Sequence, residues 1–351
     1  METKKESILI IAPPFGYNTD WYQFAELLCS HYNVYYLCVH SGTKDIEPRN
    51  VNVVYYVATT KNYYYKVLFA VKALKREMEF RKVFVYVYPS CSLMRLFFSK
   101  KQLVMDIRTS YIKSPVLTWV SNRLVKVESV FYGKISVISW GVADFLKLNK
   151  KKCELLPLGG ERLEFVEKSF DELNLFYVGT FFDRHIEKTV EAFEIFKREN
   201  PEAKVQYGIV GNGSDEDLRL IEDNIKKYNL EKSVFYLGAK RGEELHNIMT
   251  RYNVGLSYIP LTDYYDCQPP TKTYEYLLGS MIVLATPTTE NIKVVNDTNG
   301  CISKTDTPQD IAIALQKIYE KRKKYNAHDI YVDSLKYAWE EIVRKYLLPL
   351  C

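Results

Sequence analysis

The sequence of 351 residues contains no apolar run of the roughly 18 residues that a membrane-spanning helix requires. The first apolar run, residues 8–11, stops at Pro13-Pro14, which indicates a buried strand rather than a signal peptide. The seven cysteines form no C-x-x-C pair, and the five histidines show no ligand spacing. These absences exclude a disulfide-stapled secreted domain and a zinc module, so we expect a cytoplasmic protein with free thiols and no bound metal.

The overall composition is that of a globular chain. Hydrophobic residues make up 47% of the sequence and charged residues 26%, which argues against extended disorder. A chain of this length is too long for one ordinary core and fits two domains of about 150 residues each.

Positive charge is concentrated in residues 61–82. This segment has seven basic and two acidic residues, a net charge of +5 that equals the net charge of the whole chain. Its apolar positions recur at helical spacing, which predicts an amphipathic helix: Tyr64, Leu68, Val71 and Met78. Such a helix is a candidate for peripheral contact with anionic lipid at the inner face of the cell membrane, and the alternative is a sheet-covering helix with a solvated basic face. No nucleic-acid-reading motif is present, so we expect no nucleic-acid partner.

Short β-rich runs alternate with helical patterns along the first half, and a second alternation starts at Leu173. Alternation of this kind specifies βαβ units around parallel sheets. The intervening residues 157–173 hold a proline, two glycines and many charges, which is typical of an interdomain connection. The sequence thus predicts two Rossmann-like, doubly wound α/β domains facing across a cleft, at residues 1–160 and 161–330. A helix at about 331–347, within a segment 331–351, is expected to pack back on the first domain. Strands are predicted at 7–12, 33–39, 51–57, 83–88, 102–107, 135–139, 153–157, 173–179, 204–210, 233–237, 253–258 and 281–285.

Residues 252–286 carry the most informative pattern. A buried strand leads through a polar loop to Pro269-Pro270, and a short helix follows from Thr271. The free amides of Thr271, Lys272 and Thr273, together with the Lys272 ammonium, predict an anion site at the helix start. Glu275 lies one turn further and is placed to accept hydrogen bonds from the two ribose hydroxyls of a nucleotide. The alternative is an ordinary amphipathic helix with a surface glutamate.

Two further loops follow predicted strands. Arg184 enters a helix after the strand and turn FYVGTFFDR, where it could bind a phosphate, and by the alternative it is a solvated loop residue. Gly213 belongs to the Gly-x-Gly turn of VQYGIVGNGSDEDL, which is weak evidence alone because glycine is a common turn former.

The order VGT, EAF, IVGNGSDEDL, VFYLGAKRGEEL and PPTKTYEYLLGS…VLAT resembles the retaining glycosyltransferases of family 4, which have the GT-B fold. The likeness is close over about residues 173–325, and the bacterial surface-polysaccharide enzymes of the family are the most similar. It implies transfer of a hexose-type sugar, with retention of configuration, from a nucleotide diphosphate sugar to a glycan or polyprenyl-linked acceptor. The family uses the donor as co-substrate and requires neither a cofactor nor a protein-bound metal.

The resemblance also implies roles for particular residues. Glu275 matches the ribose-binding glutamate, whereas Cys267 stands where the family has a glutamate that contacts the donor sugar. The family's basic pair falls on Thr180 and Arg184, and Lys188 is a candidate replacement for the lost basic residue. Together with the residues at the helix start, the expected donor-binding positions are Thr180, Gly213, Cys267, Gln268, Thr271, Lys272, Thr273 and Glu275.

The first domain matches the family in pattern only. Arg108 falls where the family has a histidine, and the resemblance makes it a catalytic candidate together with Arg184 and Lys188. Asp106 and Gly16 are candidates for the acceptor side, with packing or a salt bridge as the alternative for the charged residues.

Other functions stay open at this point. A nucleotide-sugar epimerase on the same fold would want a catalytic carboxylate in the first domain, and Asp106 is the obvious candidate. A sugar-nucleotide-binding paralogue without turnover would explain Cys267 and Thr180. A nicotinamide-linked dehydrogenase is disfavoured, because residues 12–20 lack the spaced glycines of a dinucleotide fingerprint.

Overall fold

A computed structural model describes residues 5–40, 46–58, 63–110 and 115–351, except the side chains of residues 63–65 and 115. The chain forms two compact units. The first comprises the residues up to Leu158 together with Trp339–Cys351, and the second comprises Gly159–Ala338. Among the helices in the described ranges, none is long and apolar enough to cross a membrane.

The first unit is built on a seven-stranded parallel sheet. Its strands are β1 (Ser7–Ile11), β2 (Asn33–Val39), β3 (Asn52–Tyr56), β4 (Lys82–Tyr86), β5 (Leu103–Ile107), β6 (Lys134–Val137) and β7 (Cys153–Leu155). The strand order is β3-β2-β1-β4-β5-β6-β7, and all pairings are parallel. The connecting helices are α1 (Thr19–Leu28), α2 (Tyr63–Glu77), α3 (Pro115–Val130) and α4 (Trp140–Phe145), with 3-10 turns at Cys91–Leu96 and Lys150–Lys152. All seven predicted strands are present.

Helix α2 covers part of this sheet with its apolar side. Val67, Val71 and Leu74 are buried, whereas Lys72 and Arg76 are exposed. The geometry is that of a sheet-covering helix with a solvated basic face, because the apolar side is already occupied. Residues 61–62 of the predicted segment 61–82, and the side chain of Tyr64, lie outside the described residues.

The last residues of the described chain complete the core of the first unit. Trp339 packs edge-on against Phe24, with ring centroids 5.5 Å apart, and Leu347 is fully buried in the same cluster. The predicted continuous helix at about 331–347 is wrong. Short segments occur instead: α12 (Ala327–Ser334), α13 (Trp339–Ile342), a π turn at Val343–Leu347 and 3-10 turns at Leu335–Tyr337 and Leu348–Leu350. The break falls at Ala338, whose extended backbone (ψ 145°) cannot continue a helix.

The second unit is built on a six-stranded parallel sheet. Its strands are β8 (Leu173–Thr180), β9 (Val205–Asn212), β10 (Val234–Tyr236), β11 (Val254–Ser257), β12 (Ile282–Ala285) and β13 (Gly300–Ile302). The helices between and after them are α5 (Glu187–Glu199), α6 (Asp215–Lys227), α7 (Gly242–Met249), α8 (Asp263–Asp266), α9 (Thr271–Leu278), α10 (Thr289–Ile292) and α11 (Pro308–Lys321), with a 3-10 turn at Arg322–Lys324. Strand β13 was not among the strands predicted from the sequence.

The strand order β10-β9-β8-β11-β12-β13 reverses direction at β8. The chain leaves β8 towards β9 on one side and returns to β11 on the other, so the loops after β8 and β11 emerge side by side. Ligands of open parallel sheets bind at such a switch point, beyond the carboxyl ends of the strands. A ligand is therefore expected to bind at the loops that follow Thr180 and Ser257.

Candidate functional site

A pocket of about 320 Å³ lies at this switch point in the second unit. Three stretches of chain form it: the end of β8 with the loop that follows, the loop after β11, and the first turn of α9. It is lined by Tyr177, Val178, Gly179, Thr180, Arg184, Ile259, Tyr265, Gln268, Pro269, Pro270, Thr271, Lys272 and Glu275.

Tyr276 fixes helix α9 against the sheet. Its ring is fully buried and lies against Gly255 of β11, where a Cβ atom would come within 2.2 Å of the ring. Its hydroxyl accepts a hydrogen bond of 3.0 Å from the amide of Val178 in β8. The start of α9, and with it the pocket wall, is thereby held at the ends of both central strands.

Lys272 presents a partly buried ammonium in the pocket. Nζ donates to the carbonyl of Tyr258 at 3.3 Å and lies 4.2 Å from the centre of the Tyr177 ring. Burial lowers the pKa of Lys272 to about 7, and the neighbouring Arg184 acts in the same direction, while Glu275 opposes both. The lowered pKa reflects chiefly the burial of the ammonium, and an anion bound beside Lys272 would favour its charged form.

Glu275 lies one turn along the same helix and faces the same pocket. Burial raises the pKa of Glu275 to about 7, the Glu161 carboxylate adds to the rise, and Lys272 opposes it. A ligand that donates hydrogen bonds to this carboxylate would stabilise its charged form, and a pair of ribose hydroxyls could do so.

Arg184 reaches the pocket from the loop after β8. Its guanidinium carbon lies 3.9 Å from the centre of the Tyr265 ring, a stacking contact that orients the planar group. The flanking residues Asp183 and His185 both have φ near +53°, so the loop turns tightly on each side of the arginine. Arg184 and Lys272 are close enough for each charge to influence the other.

Gly179 keeps the floor of the pocket open. Its φ is +155°, and a Cβ atom there would come within 3.1 Å of the Tyr177 hydroxyl and 3.5 Å of Lys272 Nζ. The neighbouring Gly211 of β9 is needed too, because a Cβ atom there would lie 1.8 Å from the Gly179 carbonyl oxygen. At Gly179, the glycine of the VGT motif, a side chain is disfavoured by the positive φ and the tight contact, whereas at Gly211 the close approach of the backbone excludes one.

The structure brings together most of the predicted donor-binding positions. Those that line the pocket are Thr180, Arg184, Gln268, Thr271, Lys272 and Glu275. Thr273 does not. Its hydroxyl is fully buried between Ser257 Oγ at 2.7 Å and Asn291 Oδ1 at 2.8 Å, and its amide already donates to the carbonyl of Pro270. The predicted use of this amide as a phosphate donor is therefore not supported by the geometry.

Three further predicted positions lie outside the pocket lining. Cys267 is buried and its thiol donates to the carbonyl of Tyr264 at 3.4 Å. Gly213 packs closely against Phe181, since a Cβ atom at position 213 would lie 2.8 Å from the Cβ atom of Phe181. Lys188 lies in the first turn of α5 and does not line the pocket.

Arg108 belongs to a buried network in the first unit. Its Nε donates to Asp20 Oδ2 at 2.6 Å, its Nη1 donates to the carbonyl of Leu156 at 2.5 Å, and the side chain is only 4% exposed. The guanidinium also stacks over Phe24 at 5.5 Å. These contacts favour the packing and salt-bridge interpretation of Arg108 over the catalytic one.

The other two first-unit candidates differ in setting. Asp106 is fully buried and accepts hydrogen bonds from Trp21 Nε1 and Ser136 Oγ, both at 2.7 Å. Burial raises the pKa of Asp106 to about 6, with Arg108 opposing. Gly16 has φ +80° in the loop after β1, and a Cβ atom there would meet Ile46. Both carboxylate oxygens of Asp106 therefore accept hydrogen bonds in the interior of the unit, which argues against a role as a free catalytic carboxylate.

Tyr177, Tyr265 and Gly179 line the pocket but were not among the predicted site residues. In a sequence with 29 tyrosines, nothing in the local pattern distinguishes a tyrosine that lines a pocket from one that packs in a core. The available signal was chemical: Arg184 and Lys272 are cations, and aromatic rings that contact them would be expected in the same pocket. Across the ranges that the structure describes, no group of three or more His, Cys, Asp or Glu side chains is arranged to hold a metal ion.

Comparisons with known proteins bear on the same region. Residues 161–332 match the family model described as glycosyl transferases group 1. No curated protein matches the chain significantly. The matched region corresponds closely to the second unit, which contains the whole pocket.

Solved structures share the fold of the entire chain. A glycosyltransferase from Rickettsia africae has a TM-score of 0.77 at 11% identity, covering 99% of this chain and 98% of its own. Anabaena HepE in complex with UDP has a TM-score of 0.77 at 12% identity, covering 98% and 99%. Sucrose-phosphate synthase from Thermosynechococcus elongatus has a TM-score of 0.74 at 17% identity, covering 97% of each. Together, the group 1 match over the second unit and the fold of both units support a glycosyltransferase of the GT-B fold.

Proposed function

We propose that this protein is a retaining glycosyltransferase that binds a uridine diphosphate sugar in the pocket of the second unit. It transfers a hexose-type sugar to a glycan or polyprenyl-linked acceptor, as in family 4 and its surface-polysaccharide enzymes. The observation that carries the proposal is the convergence of Arg184, Lys272 and Glu275 on one pocket at the switch point of the sheet.

The order of charges along α9 suits a nucleoside diphosphate. Lys272 and the free amide of Thr271 lie at the helix start, where phosphates bind, and Arg184 adds a second cation. Glu275 is one helical turn of about 5.4 Å further, which matches the step from diphosphate to ribose. The choice of uridine rests on similar structures: HepE is described in complex with UDP and with UDP-glucose, and a trehalose-6-phosphate protein of E. coli with UDP-2-fluoro glucose.

The same groups would act in the reaction. As the bond between the sugar and the diphosphate breaks, negative charge grows on the leaving phosphate. Arg184 and Lys272 stabilise that charge by direct contact, and bidentate contact by the guanidinium is the stronger of the two. The acceptor hydroxyl forms the new bond on the face from which the diphosphate departs, and its proton passes to the leaving phosphate, so configuration is retained and no protein nucleophile is required.

Lys272 makes donor binding dependent on pH. With a pKa near 7 in the empty pocket, about half of the lysine is charged at neutral pH. A bound diphosphate favours the charged form, so binding is accompanied by proton uptake above pH 7. The contribution of Lys272 to donor affinity is therefore expected to fall as the pH rises from 7 to 9, while ionisation of Glu275, whose pKa is also about 7, acts in the opposite direction.

A transfer assay tests the proposal. Purified protein is incubated with UDP-glucose, UDP-galactose or their N-acetyl counterparts and a polyprenyl diphosphate-linked glycan, and the anomeric configuration of the product is determined by NMR. The proposal expects an α-linked product from an α-linked donor. An epimerised donor formed without acceptor would identify an epimerase, and tight UDP binding without any turnover would identify a non-catalytic binding protein.

A further inference from the structure

Helix α3 of the first unit has an inverted distribution of polarity. In a helix that covers a sheet, the apolar face normally turns inward. Here the buried positions are Val125 and Ser129, whereas eight large apolar side chains at or next to the helix are 39–72% exposed. They are Val116, Leu117, Trp119, Val120, Leu124, Val127, Val130 and Phe131.

The exposed residues form one continuous face. Val116, Val120, Leu124, Val127 and Phe131 are spaced by three or four positions, which places them on one side of the helix. Leu117 lies at one border of this face and Trp119 at the other. Exposed apolar residues on monomers are normally scattered singly, so a continuous stripe of them along one helix marks a candidate interaction surface.

The helix is held in this orientation by polar contacts on its inner side. Glu128 accepts hydrogen bonds from the amides of Ser90 and Ser92 at 2.8 and 2.7 Å. Just after the helix, the buried Tyr132 donates to the carbonyl of Cys91 at 2.7 Å. The apolar side therefore faces outward because the polar side is tied to the protein.

Positive charge surrounds the apolar face. Arg123 lies within it, and the 3-10 turn that contacts α3 adds Arg95 and the exposed Leu96. Helix α2 lies beyond that turn, since Lys75 of α2 donates to the carbonyl of Phe97 and lies 5.3 Å from the Phe98 ring. The charged side chains of α2, the turn and α3, as far as described, are seven basic and two acidic: Lys66, Lys72, Lys75, Arg76, Arg95, Arg123, Lys126, Glu77 and Glu128. Glu128 is directed inward, so the outer surface is strongly basic.

We propose that the apolar face of α3, flanked by the basic surface of α2, docks this protein on the surface of an anionic lipid bilayer. An apolar stripe with Trp119 at its border and cations around it matches the chemistry of the lipid interface, where acyl chains lie beneath anionic headgroups. The docking surface is defined as the exposed residues of α3 and the basic residues of α2. This inference does not depend on the proposed reaction. The apolar side of α2 covers the sheet, so the apolar contact with lipid is assigned to α3 instead of α2.

Flotation with lipid vesicles tests the proposal. Purified full-length protein is mixed with vesicles of phosphatidylcholine alone or of phosphatidylcholine and phosphatidylglycerol, and bound protein is measured at low and high salt. We expect binding to the anionic vesicles that weakens with salt. In Trp119→Ser/Val127→Ser binding is expected to fall at least tenfold, and in Lys72→Glu it should fall more than fivefold, because each cation near the surface contributes about fivefold (about 1 kcal/mol).

A matched control comes from the second unit. Ile313 of α11 is 53% exposed, and Ile313→Ser removes a similar apolar side chain far along the chain from the docking surface. This variant should bind vesicles like the wild type. Unchanged melting temperatures and unchanged UDP affinity in all variants would show that each remains folded.

Trp119 also reports directly on docking. Trp21 and Trp339 are buried, so Trp119 and Trp140 are the exposed tryptophans. In Trp140→Phe, a blue shift of fluorescence on adding anionic vesicles is expected. Three results would overturn the proposal: no binding to anionic vesicles, equal binding to neutral vesicles at all salt concentrations, or a dimer in sedimentation experiments that Trp119→Ser/Val127→Ser dissociates while vesicle binding is absent.

Discussion

Replacing Glu275 with glutamine should stabilise the empty protein while weakening nucleotide binding. Glutamine keeps the shape of the side chain but cannot ionise. It therefore removes the cost of burying a charged carboxylate in the pocket. The pKa of Glu275 is raised from an ordinary 4.5 to about 7, chiefly by burial. A shift of this size corresponds to a cost of up to about 3 kcal/mol when the group is ionised, because each pKa unit is worth about 1.4 kcal/mol.

The sign of the pH dependence follows from the direction of the shift. A carboxyl group with a raised pKa binds its proton more tightly in the folded state than in the unfolded state. Its unfavourable contribution is therefore absent below about pH 4.5, grows between pH 4.5 and 7, and is fully present above pH 7. The gain in melting temperature for Glu275→Gln should accordingly be larger at pH 8 than at pH 5.

Thermal unfolding at pH 5 and pH 8, with and without UDP, measures both effects. At pH 8 and without UDP, we expect the melting temperature of the variant to be several degrees higher, because each kcal/mol of unfolding free energy corresponds to roughly 2–4 °C. UDP should then stabilise the variant much less than the wild type, because a charged acceptor of ribose hydroxyls has been lost. A gain that is equal at both pH values would refute the argument from burial, and undiminished stabilisation by UDP would refute the ribose site.

Three other substitutions test separate parts of the account. Lys272→Arg keeps a positive charge at all pH values, so in calorimetric titration the ratio of variant to wild-type UDP affinity should rise between pH 7 and 9, whereas a constant ratio would assign the pH dependence to another group. Gly179→Ala places a Cβ atom beside Lys272 and forces an unfavourable φ, so UDP affinity should drop at least tenfold, and wild-type affinity would contradict the proposed floor of the pocket. Arg108→Met leaves Asp20 buried without its partner, so urea unfolding should show a loss of about 3–5 kcal/mol, while full stability with lost turnover would restore the catalytic interpretation of Arg108.

The strands and most helices could be predicted from the sequence because their patterns are local. Pro269-Pro270 marks the start of α9, and the structure begins that helix at Thr271. The shared location of Glu275, Lys272 and Arg184 could be predicted too, since each follows a buried strand of a parallel sheet and the carboxyl ends of such strands share an edge.

Other features depend on contacts that no local pattern contains. Helical periodicity shows that α2 and α3 each have two faces, but not which face the sheet covers, so the apolar side of α3 was not expected to be exposed. The break at Ala338 requires knowledge of where the chain passes from one unit to the other. Tyr265 stacks on Arg184 only because the loop after β11 folds back over the pocket.

Calorimetric titration of UDP shows whether Glu275 binds the ribose of a nucleoside diphosphate. Glu161 provides a matched control, because it is a nearby carboxylate that raises the pKa of Glu275 but does not line the pocket. At pH 8, where Glu275 is ionised with or without Glu161, we expect wild-type affinity in Glu161→Ala and at least tenfold weaker binding in Glu275→Ala. Equal UDP affinity in both variants, or no UDP binding by the wild-type protein, would exclude a ribose-binding role for Glu275.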